Sequence, residues 1–213
     1  MTRKAAAVKT RAYHHGDLKN ALVVAALELI ATKGARALSL REVARATGVS
    51  HASTYRHFPN KESVLATIAE QGFRELTQQM RNAALQSPSG PLQSLHRVGL
   101  AYVAFGVAHP HHLQIMFGDL ITSHAAYPSL LDASSAAFEV LASSVRAGQK
   151  AGLVRESDER LVSLAAWSQV HGLALLIASG QIPPEGSAPL QPDTLADAVL
   201  NLLQTGLAAP VPE

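Results

Sequence analysis

The chain has 213 residues, of which 47% are hydrophobic and 5% aromatic, and it contains no cysteine. The absence of cysteine excludes disulfide bonds and thiolate metal sites, and the dominance of alanine and leucine favours packed helices over sheets. The formal net charge of +2 conceals an asymmetry, because residues 1–62 carry a net charge of +7 and residues 63–213 carry −5. A basic segment of this kind predicts a polyanionic partner.

The first dozen residues place four basic side chains among small residues and lack the apolar stretch of a signal peptide. We therefore expect a cytoplasmic protein. Two interpretations of this basic segment stay open. It is either an arm that reaches the phosphates or a minor groove of DNA, or a solvated tail with only a nonspecific electrostatic role.

Residues 17–33 predict an amphipathic helix that Gly34 ends. The apolar positions recur at helical spacing and comprise Leu18, Leu22, Ala25 and Leu29. We expect this apolar face to cover the two helices that follow, which completes a three-helix head.

Two short helices around a tight turn are predicted next. Ser39 and Glu42 form a capping-box pattern that starts a helix at about Leu40. Gly48 follows as a residue that tolerates the backbone of a helix-ending turn.

The second short helix is predicted to begin after Ser50, an N-cap candidate, and to end at His57, because Pro59 pushes the preceding residue out of helical geometry. Two helices around a turn that contains glycine are typical of the DNA-binding helix-turn-helix, whose second helix enters the major groove. Its exposed side chains, able to hydrogen-bond to phosphates or base edges, would be His51, Ser53, Thr54, Tyr55 and His57. The alternative is an ordinary pair of packed helices with Tyr55 and Phe58 in the core.

Asn60 is predicted to cap a longer helix over residues 61–85, and residues 87–91 are a helix breaker. The apolar residues of this helix that are available for packing are Val64, Leu65, Ile68, Phe73 and Leu76. The sequence thus predicts two domains, a helix-turn-helix DNA-binding domain of residues 13–62 and a helical domain of residues 63–210. Their boundary lies at this long helix, without a flexible linker.

Further helical segments follow in the second domain, at residues 92–108, 109–117, 128–151, 156–179 and 193–208. No segment shows the period-two alternation of a half-buried strand, so an all-α fold is predicted. The apolar stretch at 164–178 is interrupted by Trp167 and His171, which favours a buried or interface helix over a membrane span. We expect no membrane partner.

Several stretches resemble the TetR family of bacterial transcriptional regulators. They are Tyr13-His-His-Gly-Asp-Leu, the run from Ser39 to Lys61, and within it Tyr55-Arg-His-Phe-Pro-Asn-Lys61. Trp167-Ser-Gln-Val-His171-Gly172 is similar to one type of C-terminal domain in that family. The resemblance implies an all-helical homodimer on a palindromic operator of double-stranded DNA, a ligand pocket in each body, and dimerisation through residues 156–179 and 193–208.

The resemblance also implies DNA-facing roles by position. Tyr55, His57 and Lys61 fall where members of the family grip phosphates, and residues 51–54 fall where bases are read. Thr54 departs from the apolar residue that is frequent there, so its facing stays open. The implied set is Arg41, Ser50, His51, Ala52, Ser53, Thr54, Tyr55, His57 and Lys61.

Large apolar and aromatic side chains of the body are candidates for lining a ligand cavity: Tyr102, Phe105, Met116, Phe117 and Trp167. Each also fits an ordinary core position, and His171 fits a buried or interface histidine as well as a pocket residue. The expected effector is a small molecule, largely apolar or aromatic, whose identity the composition does not give.

A metal site is one interpretation of the cluster formed by His109, His111 and His112. Ligands on one helix face usually lie three or four residues apart, and a third ligand at such a spacing is missing, so no metal or cofactor is expected. Nucleophile-elbow, phosphate-loop and paired-carboxylate motifs are absent from the sequence, so we expect no enzyme. The leading interpretation is a repressor released from its operator by a small ligand. The alternatives are a DNA-binding regulator controlled by a protein partner and, more remotely, an enzyme.

Overall fold

The computed structural model describes residues 15–86, 90–182 and 191–207, and in these ranges the regular structure is helical. The chain divides into two compact units, Met1–Val64 and Leu65–Glu213. The α-helices, in chain order α1 to α9, are His15–Lys33, Leu40–Thr47, His51–His57, Lys61–Leu85, Pro91–Ala108, Pro110–Phe117, Pro128–Lys150, Glu159–Ala178 and Pro192–Leu207. Short 3₁₀ turns lie at Ala35–Ala37 and His124–Ala126. The all-α prediction is confirmed.

The first unit is built from α1, α2 and α3 and closes on the first turn of α4. Helix α1 packs against α2, and α2 against α3. The buried face of α1 is centred on Leu22, Ala26 and Ile30, each 0% exposed, whereas Leu18 and Leu29 are only half-buried. The predicted stripe was therefore placed partly wrong, because α1 is apolar on so many sides that periodicity alone does not select the inner face.

The boundary between the units follows Val64 and falls inside α4. Asn60 begins this helix as predicted, since its Oδ1 accepts a hydrogen bond of 2.8 Å from the backbone N–H of Ser63. The residues predicted to pack along α4 are all buried: Val64, Leu65, Ile68, Phe73 and Leu76.

The second unit is organised around α5, which packs against α7, α8 and α9. A close approach joins α5 to α8, because a Cβ built on Gly106 would lie 2.8 Å from the Cβ of Ala174. No larger residue fits there without moving one of the helices. This close contact sets the register that brings the polar ends of Tyr102 and His171 together, as described below.

Candidate DNA-binding surface and ligand cavity

The turn between α2 and α3 has the geometry that the sequence predicted. Gly48 ends α2 in the left-handed region at φ 68° and ψ 22°, where a side chain is strained. Ser50 caps α3 because its Oγ accepts a hydrogen bond of 3.1 Å from the backbone N–H of Ser53. Phe58, in extended geometry before Pro59, ends the helix.

The capping box predicted for α2 is wrong, although the helix does begin at Leu40. The side chain of Ser39 makes no capping hydrogen bond. Glu42 instead pairs with the ammonium of Lys33 at the end of α1. This ion pair joins α1 to α2. The Glu42 carboxylate therefore does not bond to the backbone N–H of Ser39, as a capping box requires.

One face of α3 is open to solvent. His51, Ala52 and Tyr55 are exposed, as is the capping residue Ser50, and Tyr55 keeps 46% of its surface accessible. Ser53 and His57 are half-buried beside them, and Arg41 of α2 is exposed. Hydroxyl, phenol and imidazole groups are among those that hydrogen-bond to phosphates and base edges.

Thr54 does not belong to this face, which corrects its inclusion among the DNA-facing residues. Its side chain is 0% exposed, and its Oγ1 donates a 3.4 Å hydrogen bond to the carbonyl of Ser50, one turn earlier. Phe58 is likewise buried, at 1% exposure. Thr54 and Phe58 therefore hold α3 in place, whereas Tyr55 does not enter the core.

Lys61 has a partner within the head unit. Its Nζ donates a hydrogen bond to the carbonyl oxygen of Arg36 in the first 3₁₀ turn, which ties the start of α4 to that turn. An ammonium has three donors, so this contact leaves donors on Lys61 for an incoming phosphate.

The second unit contains a cavity of about 620 Å³. It is lined by five aromatic residues, Phe73, Tyr102, Phe117, Phe138 and Trp167, and by five aliphatic ones, Leu76, Met80, Met116, Ala137 and Leu141. Polar lining residues are His124, Ser134, Ser135 and Glu139. A concave, mostly apolar space with a few polar groups is typical of a small-molecule site.

The aromatic residues of the cavity contact one another in a continuous cluster. The ring centroids of Phe73 and Phe117 are 5.2 Å apart, those of Phe117 and Trp167 are 5.7 Å apart, and those of Phe138 and Trp167 are 6.1 Å apart. These separations lie in the range of favourable edge-to-face and tilted pairs. Four elements, α4, α6, α7 and α8, are joined in this way around one space.

Tyr102, Trp167 and His171 form a hydrogen-bonded triad beside the cavity. The Oη of Tyr102 lies 3.2 Å from the Trp167 indole nitrogen, which donates to it, and 2.8 Å from His171 Nδ1. Burial raises the pKa of Tyr102 and lowers the pKa of His171. Both shifts favour a neutral phenol and a neutral imidazole. The Tyr102 hydroxyl therefore accepts a hydrogen bond from Trp167 and shares a second one with the neutral ring of His171.

Of the six residues predicted to line a pocket, the structure brings four to the cavity: Tyr102, Met116, Phe117 and Trp167. Phe105 is outside the lining; it is 1% exposed and its ring lies 5.0 Å from that of His109. His171 is also outside the lining and reaches the cavity through Tyr102.

The sequence reasoning missed several lining residues. Phe73 was assigned only to packing along α4, and Phe138 and Glu139 were not singled out at all. The signal that could have found Phe138 and Glu139 is their position on α7, where residues 134, 135, 138 and 139 recur at the spacing of a single helix face.

In the structure, one histidine of the cluster at residues 109–112 lies beside an acidic side chain. His109 Nε2 lies 3.5 Å from Glu75 Oε1, and burial lowers the pKa of His112. Within residues 18–86, 90–182 and 191–207, whose side chains the structure describes, no group of three His, Asp or Glu side chains is placed to hold a metal ion.

Helices α8 and α9 expose apolar side chains to solvent. Leu161, Leu164, Leu175 and Leu176 of α8 are 42–63% exposed, and Leu202 of α9 is 73% exposed. The apolar residues that mark this helix in the sequence are at 195, 199, 202 and 203, whereas the residues that α9 buries are Ala196, Leu200 and Leu207. Helix α8 is long and apolar enough to span a membrane by length and composition, although only a third of its apolar stretch is buried within the chain.

Two family models match the chain. Residues 22–68 match the model described as bacterial regulatory proteins, tetR family, and residues 95–203 match the tetracyclin repressor-like C-terminal domain. The transcriptional regulator EthR of Mycolicibacterium smegmatis is 27% identical over 95 residues, which is 44% of this chain and 43% of that protein. The match thus spans less than half the length of that relative.

Solved structures share the fold along most of the chain. A protein of unknown function from Rhodococcus sp. RHA1 is 31% identical and superposes with a TM-score of 0.80, over 93% of this chain and 100% of that one. PfmR of Thermus thermophilus, a TetR family transcriptional regulator, is 24% identical with a TM-score of 0.68, over 86% of this chain and 97% of that one.

Proposed function

Because this chain belongs to the TetR family of bacterial transcriptional regulators, we propose that it is a cytoplasmic, homodimeric repressor. In this proposal two copies bind the half-sites of a palindromic operator, and a small molecule that enters the cavity releases them. The observation that carries the proposal is an exposed recognition helix and a 620 Å³ apolar cavity in one chain.

The DNA contact is proposed for the open face of α3 and its neighbours. The set is Arg41, Ser50, His51, Ala52, Ser53, Tyr55, His57 and Lys61. Ala52 lets the helix approach the groove closely, and the polar side chains around it supply donors and acceptors for base edges and phosphates. The charge of +7 on residues 1–62 supports this assignment, because phosphate neutralisation supplies much of the affinity for DNA.

The exposed leucines of α8 and α9 support a homodimer. In a dimer, the same helices of a second copy would shield these leucines from water through a self-complementary interface. Gly172 lies in the middle of α8, where a glycine costs about 1 kcal/mol relative to alanine. A Cβ at that position would meet nothing within 4 Å in the same chain, so a close crossing by the partner's helix is a reason for its presence.

Release by a ligand follows from the position of α4 in the chain. This helix carries Lys61 at its first residue, and further along it supplies Phe73, Leu76 and Met80 to the cavity. Recognition helices of a dimer must lie about 34–36 Å apart to enter successive major grooves. A ligand that favours another spacing lowers DNA affinity by the difference in its binding to the two states.

Selection of bound genomic fragments tests the proposal directly. The purified chain is mixed with sheared genomic DNA, bound fragments are recovered, and their common sequence is determined. We expect one palindromic sequence, bound by two copies of the chain. Recovery of fragments without a shared sequence, or binding by a monomer, would contradict the proposal.

A screen for release completes the test. Operator-bound protein is exposed to a library of metabolites, and displacement from DNA is measured together with the midpoint of thermal unfolding. A compound that raises the midpoint and displaces the protein supports control by a small molecule. A library without any stabilising compound would favour control by a protein partner.

A further inference from the structure

The cavity is divided into an apolar interior and a polar mouth. Among the lining residues, Phe73, Tyr102 and Met116 are buried, whereas Ser135, Glu139 and His124 are exposed to solvent. Five of the ten aromatic residues in the whole chain line this one space. The interior therefore suits the apolar body of a ligand, and any charged group of that ligand must lie toward the mouth.

The charge at the mouth is negative. Glu139 is the one Asp, Glu, Lys or Arg side chain among the lining residues that the structure describes. Arg146 donates a hydrogen bond of 3.3 Å to Glu139, and it donates two shorter ones, of 2.8 and 2.7 Å, to both oxygens of Glu159. Glu139, Glu159 and Arg146 share one positive and two negative charges, so together they carry a net charge of −1.

We propose that the effector is an organic ammonium compound with an aromatic or alkyl body. Its body fills the aromatic interior, and its cationic group lies at the mouth beside Glu139. The rings of Phe138 and Trp167 provide faces that attract a cation, and Glu139 attracts it directly. A carboxylate or phosphate on the same body would be repelled by Glu139 and would find no lysine or arginine among the described lining residues.

This inference rests on the proposed function, in which the cavity is the effector site. It is tested with three probes that share one apolar body and differ in charge: phenylbutylamine, phenylbutanol and phenylbutyrate. The chain has a single tryptophan, and Trp167 lies in the cavity wall. A change in its fluorescence therefore reports occupancy of this site, and displacement from operator DNA is followed in parallel.

We expect the amine to bind most tightly, by about fivefold or more over phenylbutyrate at low ionic strength, with the alcohol between them. Because Glu139 is exposed, added salt should reduce the difference in affinity between the amine and phenylbutyrate. Glu139→Gln should bring the amine and the carboxylate to similar affinities while leaving the alcohol unchanged. Asp132→Asn is the matched control, because it removes an exposed carboxylate from the same helix outside the cavity lining and should keep the preference.

The two readouts separate the two proposals. Phenylbutyrate that binds as tightly as the amine, or a preference that survives Glu139→Gln, would overturn the ammonium assignment even if DNA is released. An amine that binds selectively without displacing the protein from its operator would support the assignment and contradict release by the cavity ligand. If none of the probes changes the fluorescence of Trp167, the ammonium assignment fails, whereas release by a small molecule is decided separately by the metabolite screen.

Discussion

Neighbouring side chains of α3 have opposite roles. Thr54 and Phe58 are buried and fix the helix to the head, whereas Tyr55 and His51 lie open to solvent one turn apart. A helix of seven residues thus carries both the packing and the proposed recognition surface. Substitutions at adjacent positions should therefore separate folding from sequence recognition.

Ser53→Ala and Thr54→Val form such a pair. Replacing Ser53 removes a hydroxyl at the edge of the exposed face, so we expect a several-fold change in preference at about one base pair of the operator. Replacing Thr54 removes a hydroxyl bonded to the carbonyl of Ser50, so the free energy of unfolding should fall by about 1 kcal/mol or less, without a change in preference. Selection from a randomised operator library and chemical denaturation measure the two effects. A change of base preference in the Thr54 variant would contradict its buried position.

Lys61→Gln tests the proposed phosphate contact. We expect weaker binding to every DNA sequence and a salt slope of log affinity reduced by about one unit. Because Lys61 also bonds to the carbonyl of Arg36, Lys61→Arg is included to restore the charge and the slope. Lys150→Gln, in the second unit, is the control for a general charge effect. An unchanged slope in Lys61→Gln would show that the ammonium does not contact a phosphate.

Predictions for single residues succeeded where the interaction joins groups a few residues apart in the sequence. The caps by Ser50 and Asn60 depend on groups three residues away, and the sequence places both partners side by side. The capping box at Ser39 failed because Lys33, nine residues before Glu42, takes the carboxylate. A local motif carries no information about a competing partner on another helix.

At the scale of elements, helix ends were predictable and helix faces were less so. Glycine and proline mark the ends of α1, α5 and α7 within a residue or two of the predicted bounds. The inward face of α1 was misplaced, because this helix carries apolar residues on more than one side, as α9 also does. For α9 the second apolar side is the one we assign to the partner subunit.

Leu202→Lys tests that assignment. Leu202 is 73% exposed on α9, so within one chain a charge there should change the free energy of unfolding by about 0.5 kcal/mol or less. In a dimer it would place a charge in an apolar interface, and the dissociation constant of the dimer should rise about tenfold or more. Sedimentation equilibrium measures this.

Leu85→Lys is the matched control for the dimer, because Leu85 is an exposed leucine, at 85% exposure, that belongs to α4 and not to α8 or α9. It should leave the dissociation constant unchanged. Equal effects of the two variants, or no effect of Leu202→Lys, would contradict an interface formed by α8 and α9.

At the scale of the whole molecule, the cavity was the part that sequence could not define. Its lining comes from α4, α5, α6, α7 and α8 and from the 3₁₀ turn at His124–Ala126. Which side chains meet there depends on close helix contacts such as that of Gly106 with Ala174. A fully buried phenylalanine such as Phe105 and a lining one such as Phe117 look alike in sequence, since only tertiary packing decides which of them faces an empty space.

The proposed control of DNA binding by the cavity makes a reciprocal prediction. If a ligand lowers operator affinity by some factor, operator DNA must lower ligand affinity by the same factor, because both are the same coupling free energy, typically about 1–3 kcal/mol. Phenylbutylamine is titrated against the free protein and against the operator complex, with occupancy followed through Trp167. The shift between the two titrations should equal the shift in operator affinity measured at saturating amine. An amine that binds the complex and the free protein equally could not be the cause of release, whatever its affinity.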